Sequence, residues 1–418
     1  MATDEGIAAL LGELRPGISV YLPGASGEIL SLAEALASES DRARGISFTS
    51  CLVPGINETL DYAGLTESTR ITTFMLPKVM EPSLAARRVS LLPLTYCGAA
   101  RHIAAHSFDL ALAHVAPPDA QGRCSLGIAS DFATLAWQGA KRRVAVVNPA
   151  MPRLPGALSI PAEEADLIVT LEGKLIEQEE RVGGATAEVI AAGIAELVPD
   201  GAHVQAGIGG APGAIWSHLA GHRDLVLRSG LVTPGFRTLA EAGALAAGGD
   251  HVAGIALGPR PFYDWLANAG LVRFASTLET HGYAGLSSLP HLISVNSALE
   301  VDLFGQVNVE WQGQRLTGGV GGGPDFMRAA RSSEGGRSII ALPATARGDS
   351  ISRIVCRLDS PGTSIARSDI DMVVTEHGTA DLSGKGLDDR AEALIAVAAP
   401  KFREGLWAEW EALRSRIY

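Results

Sequence analysis

The chain has 418 residues, 47% of them hydrophobic and 19% charged, and its 34 Lys and Arg against 46 Asp and Glu give a formal charge of −12. At roughly 150 residues per domain this length implies two or three domains, and the apolar content argues against global disorder. The acidic balance, with short basic clusters at Arg87-Arg88 and Lys141-Arg142-Arg143, argues against nucleic-acid binding, and no apolar run approaches the ~20 residues of a membrane helix. Residues 1–15 lack a basic start and a cleavage site, so a soluble cytoplasmic protein is expected. With 48 Gly, 22 Pro and 5% aromatics, the profile is that of a loop-rich α/β enzyme. Cys51, Cys97, Cys124 and Cys356 are scattered and the histidines dispersed, so neither a disulfide framework nor a metal site is expected.

In chain order, Gly17-Ile-Ser-Val-Tyr-Leu reads as a strand, Pro23-Gly-Ala-Ser-Gly27 as a turn and residues 29–37 as a helix. Glu28 stands at the helix start, where the dipole stabilises a carboxylate; it either caps the helix or faces a ligand cleft. Ser50-Cys-Leu-Val with Pro54-Gly55 and Asp119-Ala-Gln-Gly122 follow, and the apolar runs 144–147 and 167–169 read as buried parallel strands. A charged stretch, Glu177-Gln-Glu-Glu-Arg181, then meets Gly183-Gly184 and marks a boundary, giving domains 1–182 and 183–418.

The second half repeats the series. Gly201-Ala-His-Val-Gln-Ala runs into Gly207-Ile-Gly-Gly-Ala-Pro-Gly213 and a helical pattern over 214–219. Ser229-Gly-Leu-Val with Pro234-Gly235, Asp302-Leu-Phe-Gly305, and the runs 339–342 and 372–374 come next, and Asp371-Met-Val-Val-Thr matches Asp166-Leu-Ile-Val-Thr. Residues 187–197 and 390–398 read as flanking helices. Several matches in one order imply two tandem duplicated open α/β domains with mostly parallel sheets and a ligand site in the cleft between them.

Two glycine-rich segments invite a ligand. In residues 207–213, between strand and helix, backbone N–H groups and a helix N-terminus suit an anion, but the G-x-G-x-x-G spacing fails because residue 212 is Pro. Five glycines within residues 318–323 exceed the needs of a turn and suggest close backbone approach to a ligand. Glu376-His377-Gly378 and Ser297-Ala-Leu-Glu300 place polar groups just beyond strand ends, as caps, ion pairs or site residues.

Longer segments are more specific: Val115-Ala-Pro-Pro-Asp with Gly122-Arg-Cys-Ser-Leu-Gly127, Val147-Asn-Pro-Ala-Met-Pro152, Gln205-Ala-Gly-Ile-Gly-Gly210 and Val295-Asn-Ser-Ala-Leu-Glu-Val-Asp302. Gly319-Val-Gly-Gly-Gly-Pro-Asp325, Leu342-Pro-Ala-Thr-Ala-Arg347, Ser352-Arg-Ile-Val and Val374-Thr-Glu-His-Gly-Thr-Ala-Asp381 complete them. Across nearly its whole length the chain resembles the acetyl-CoA hydrolase/transferase family, class I coenzyme A transferases that include 4-hydroxybutyrate CoA-transferase. The resemblance implies an acyl-CoA and a small carboxylic acid as substrates, no prosthetic group, and a homo-oligomer. It also implies ping-pong transfer through a glutamyl-enzyme, with the 205–210 backbone stabilising the oxyanions. By resemblance, Gln205, Ala206, Gly207, Ile208, Gly209, Gly210, Glu300, Gly322, Gly323 and Arg347 match CoA-contacting stretches.

One departure falls on the nucleophile. The family pattern Glu-Met-x-Ser-Asp-Gly follows the strand matched here by Asp224-Leu-Val-Leu, but this chain reads Arg228-Ser229-Gly230, so glycine stands in the glutamate's place. Three readings follow. Glu28 replaces the missing carboxylate, as the resemblance to itaconate and butyryl CoA-transferases of pathogenic bacteria implies; Glu28 or Glu376 activates water in an acyl-CoA hydrolase; or the protein binds CoA or acyl-CoA without catalysis.

Overall fold

A computed structural model describes residues 2–179 and 183–417. The apolar run Leu110–Val115 is buried at every position, as befits an interior strand of a parallel sheet. It is β5 of a seven-stranded sheet with β1 (Ser19–Tyr21), β2 (Ser47–Thr49), β3 (Arg70–Thr73), β4 (Val89–Leu91), β6 (Arg143–Val147) and β7 (Leu167–Thr170), in the order β4-β3-β2-β1-β5-β6-β7. Every pairing is parallel. A second sheet contains β8 (His203–Ala206), β9 (Val226–Leu227), β10 (Leu292–Ser297), β11 (Arg337–Ala341), β12 (Met372–Thr375) and β13 (Gly378–Asp381), ordered β9-β8-β10-β11-β12-β13. Here only the terminal β12–β13 pair is antiparallel. The fold class is α/β, as the sequence implies.

The duplication is visible strand by strand, since β2-β1-β5-β6-β7 and β9-β8-β10-β11-β12 follow the same spatial order with the same chain order. Fine detail repeats too. Asp119 Oδ1 accepts from the backbone N–H groups of Gln121 and Arg123, and Asp302 Oδ1 from those of Phe304 and Gln306. Each turn closes with a left-handed glycine, Gly122 (φ 69°) or Gly305 (φ 87°), a conformation costly to other residues. Asp166 Oδ2 accepts from Arg143 N–H and Asp371 Oδ2 from Ser338 N–H, so in both sheets an aspartate just before one strand pairs with an amide at the start of its neighbour.

Contacts divide the chain into two compact units: Met1–Glu179 with Gly230–Thr233 and His251–Thr280, and Glu180–Ser229 with Pro234–Asp250 and His281–Tyr418. The sequence boundary at 182–183 abuts residues 180–182, which lie outside the described residues. Gly230, in the second half of the sequence, belongs to the first unit. There Leu231–Val232 pairs in parallel with Ile255–Ala256, and Gly230 C=O accepts from the N–H groups of Gly254 and Ile255. The first unit's core includes Phe108, Phe132 and Trp137, and the second's includes Ile340, Val373 and Trp410. Among the described residues no helix is long and apolar enough to cross a membrane.

Candidate functional site

In each sheet the chain leaves one central strand, builds outward on one side, and returns to the other side of that strand. β2 and β5 flank β1, and β9 and β10 flank β8. Such a reversal is where loops leaving adjacent strands diverge and open a crevice at the carboxyl ends. The segment following β1 carries Glu28; the one following β8 is the glycine loop 207–209. The two segments singled out from the sequence therefore occupy equivalent topological positions.

Glu28 is 1% exposed. It does not start the helix, since a 3-10 turn covers Ala25–Gly27 and helix α1 runs Leu30–Ser38. Its carboxylate is gripped by two donors: Asn57 Nδ2 to Oε2 at 2.9 Å and Tyr62 Oη to Oε1 at 3.0 Å. Asn57 is itself fixed, accepting from Val53 N–H and donating to Ala25 C=O. Burial pushes the Glu28 carboxyl above the ordinary carboxylate range, and the Asn57 and Tyr62 hydrogen bonds pull it back. Ionisation is thus governed by desolvation and these two donors, where the sequence pointed to the helix dipole.

Behind this turn lies a buried histidine. Asn148 Nδ2 lies 3.2 Å from His114 Nε2, and His114 Nδ1 lies 3.1 Å from Gly27 C=O. An amide NH2 only donates and a carbonyl only accepts, so Nε2 accepts and Nδ1–H donates, which assigns the neutral tautomer. Burial pushes His114 down to about 4, in keeping with that tautomer.

The turn packs through Ala25 onto Ala129 and Ile255, with Leu231 alongside, and Ser26 Oγ donates to Ile128 C=O. Glu28 and the side-chain-less position 230 therefore belong to one unit, and their chain neighbours Ala25 and Leu231 share one packed cluster. On the same loop, burial pushes Asp131 up to about 7, opposed by the N–H groups of Phe132 and of Asp131 itself. From its ordinary value of 3.8, the stability supplied by the retained proton is complete below pH 3.8 and lost as pH rises to about 7. Asp131→Asn cannot ionise, so its stability relative to wild type should rise by about 4 kcal/mol between about pH 4 and about pH 8. Urea unfolding at the two pH values measures this; a pH-independent difference would refute the assignment. Beside it, the Cys51 thiol is pushed up to about 12 by burial and by the Asp131 charge, which removes it as a nucleophile.

The residues matched to CoA lie in the second unit. Helix α2 (Gly210–His218) begins inside the glycine segment and takes in Pro212, which a first helical turn accommodates. Gly209, its N-cap, has φ 152°, outside the range of other residues. Ile208 is 50% exposed despite its apolar side chain. Gln205 is buried, its Oε1 accepting from Ser294 Oγ at 2.6 Å and Asn296 Nδ2 at 3.1 Å, and Ala206 is buried beside it. Asn296 ties the two glycine segments together. A Cβ on Gly207 would lie 2.6 Å from its Oδ1, and one on Gly323 would lie 3.5 Å away.

Gly322 caps helix α3 (Gly323–Ser332), which puts a second helix N-terminus at this end of the sheet. Glu300 Oε2 accepts from Asn308 Nδ2, and Glu376 Oε2 accepts from Ala344 N–H. Arg353 lies near both glutamates, whose charges oppose the lowering of its pKa by burial. Arg347 is exposed in a left-handed turn, φ 51°, and no hydrogen bond or ion pair joins its side chain to the loops among the described residues. Gln205 and the glycines at 207 and 323 are thus brought together through Asn296, whereas the hydrogen bond of Glu300 goes to Asn308.

Sequence reasoning missed Asn57, Tyr62, His114 and Asp131; Asn148, Asn296 and Arg353 lay inside quoted segments without a role. Among the described residues no group of three or more His, Cys, Asp or Glu is arranged to hold a metal.

Residues 258–410 match the model of the acetyl-CoA hydrolase/transferase C-terminal domain. Over 310 residues, 72% of this chain and 72% of the relative, the sequence is 36% identical to a 4-hydroxybutyrate coenzyme A transferase of Clostridium kluyveri. The crystal structure of RipA from Yersinia pestis superposes with a TM-score of 0.89 at 28% identity, covering 99% of this chain and 97% of that one. A 4-hydroxybutyrate CoA-transferase from Porphyromonas gingivalis does so at 0.80 and 27%, over 98% and 97%.

Proposed function

Because the chain belongs to the acetyl-CoA hydrolase/transferase family, we propose that it moves coenzyme A from an acyl-CoA to a small carboxylic acid, with Glu28 as nucleophile. The observation that carries this is the Glu28 carboxylate, held by Asn57 and Tyr62 at the reversal of the first sheet, in the unit where position 230 has no side chain.

In the proposed cycle a Glu28 oxygen attacks the thioester carbonyl and the C–S bond breaks, releasing CoA thiolate and leaving a mixed anhydride. The thiolate then attacks the glutamyl carbonyl, expelling the donor acid as its carboxylate and forming a glutamyl-CoA thioester. The acceptor carboxylate attacks that thioester, and the same steps in reverse deliver the new acyl-CoA and free Glu28. No net proton is consumed, and a carboxylate suits both directions because it attacks and departs with similar ease. The loops Gln205–Gly210 and Gly322-Gly323, with Glu300 and Arg347, are proposed to take CoA, whose phosphates suit backbone donors and helix N-termini.

The test is trapping. After incubation with acyl-CoA, borohydride should reduce the enzyme thioester and alter the mass of the peptide containing residue 28, with turnover depending on the acceptor acid. A label on another peptide would refute Glu28. Turnover independent of acceptor acid would assign hydrolysis, and absence of turnover a CoA-binding protein without catalysis.

A further inference from the structure

The second glycine segment is held from behind by a histidine that no part of the proposed chemistry uses. His281 is 4% exposed and sits directly against Gly322, the N-cap of α3. A Cβ built on Gly322 would lie 2.4 Å from His281 Nε2 and 2.7 Å from Cδ2, well inside van der Waals contact. The ring cannot step aside cheaply, because it packs edge-on against Phe326, with centroids 4.7 Å apart at 61°. Phe326 is in turn part of a small core with Leu286, Leu292, Ala329 and Ala330. Gly322 C=O accepts the N–H groups of Asp325 and Phe326, so the first turn of α3 is built on the residue the ring supports. Burial alone pushes His281 down to about 3, so the ring packs as a neutral imidazole.

At the next residue, Asn296 Oδ1 lies 3.5 Å from where a Gly323 Cβ would be. The segment is thus confined by His281 at Gly322 and by Asn296, which also abuts Gly207, at Gly323. Confinement matters because a segment with five glycines among six residues otherwise samples many backbone states, and binding has to overcome that freedom.

We propose that His281 is a positioning residue for CoA: its ring fills the volume left by Gly322 and fixes the N-terminus of α3 in the geometry that receives the ligand. This rests on the proposal that the Gly322-Gly323 segment contacts CoA. The test is a size exchange read by calorimetric CoA binding, which needs no turnover, together with steady-state kinetics and a thermal midpoint for each variant. Gly322→Ala should weaken CoA binding about tenfold or more, because the methyl group has no room beside the ring. His281→Ala should raise the KM for acyl-CoA several-fold and leave kcat within about twofold, the split expected of lost binding energy. Combining the two should recover at least threefold of the Gly322→Ala loss, since the new methyl occupies the space the ring vacates. A purely structural histidine predicts losses that add and track the thermal midpoint. Gly322→Ala binding CoA like wild type, a double variant worse than either single one, or a fall in kcat without a change in KM would each overturn the inference. Wild-type protein that binds no CoA would overturn it together with the functional reading; any other adverse result touches the inference alone.

Discussion

Glu28→Gln should lower CoA transfer by about three powers of ten or more while leaving CoA binding intact. Glutamine keeps the size of the side chain and can still accept from Asn57 or Tyr62, but it has no anionic oxygen to form the anhydride, and loss of a covalent nucleophile typically costs at least that much. The same substitution should not unfold the protein. The buried carboxyl is pushed above its ordinary range by desolvation, so its ionised form is held at a cost in folding energy that a neutral amide avoids. A thermal midpoint equal to or above wild type, alongside abolished transfer, is the expected pair of results. Near-normal transfer would show that the nucleophile lies elsewhere, and a large fall in midpoint would show that the carboxylate is structural.

Tyr62→Phe should shift the acid limb of the pH–rate profile to higher pH. Oxygen Oε1 of Glu28 loses the donor that lies 3.0 Å away, and the hydrogen bonds of Tyr62 and Asn57 are what lower a pKa that burial raises. The working species is the ionised carboxylate, lost as pH falls through the folded-state pKa; raising that pKa further leaves less of it at neutral pH. A hydrogen bond to a charged group contributes about 1.5–3 kcal/mol, equivalent to about 1–2 pH units, so the acid limb should move up by that amount and transfer should recover as the medium becomes alkaline. Rates of wild type and variant across pH at saturating substrate measure this. A uniform loss at every pH would mean that Tyr62 acts through packing, and an unchanged profile would remove Glu28 as the titrating nucleophile.

These expectations depend on partners that local sequence does not announce. Asn57 and Tyr62 stand 29 and 34 residues beyond Glu28, on the segment after β2. They reach it because β1 and β2 pair in parallel, in the register Ser19↔Ser47 to Tyr21↔Thr49, so the segments leaving both strands emerge side by side. The helix expected over 29–37 begins at Leu30, one residue later, and burial is the main influence on the charge of Glu28.

The sequence by itself determined the α/β class, the repeated strand–loop–helix order and the segments that line the carboxyl ends of both sheets. Those properties follow from periodicity, turn chemistry and repetition, all expressed within a few residues. Only the tertiary structure decided that Gly230 returns to the first unit, that Asn296 joins two glycine segments, and that His281 occupies the space of a missing side chain at Gly322. Each depends on strand register and close packing between residues far apart in the chain, where a shift of a single ångström separates contact from clash.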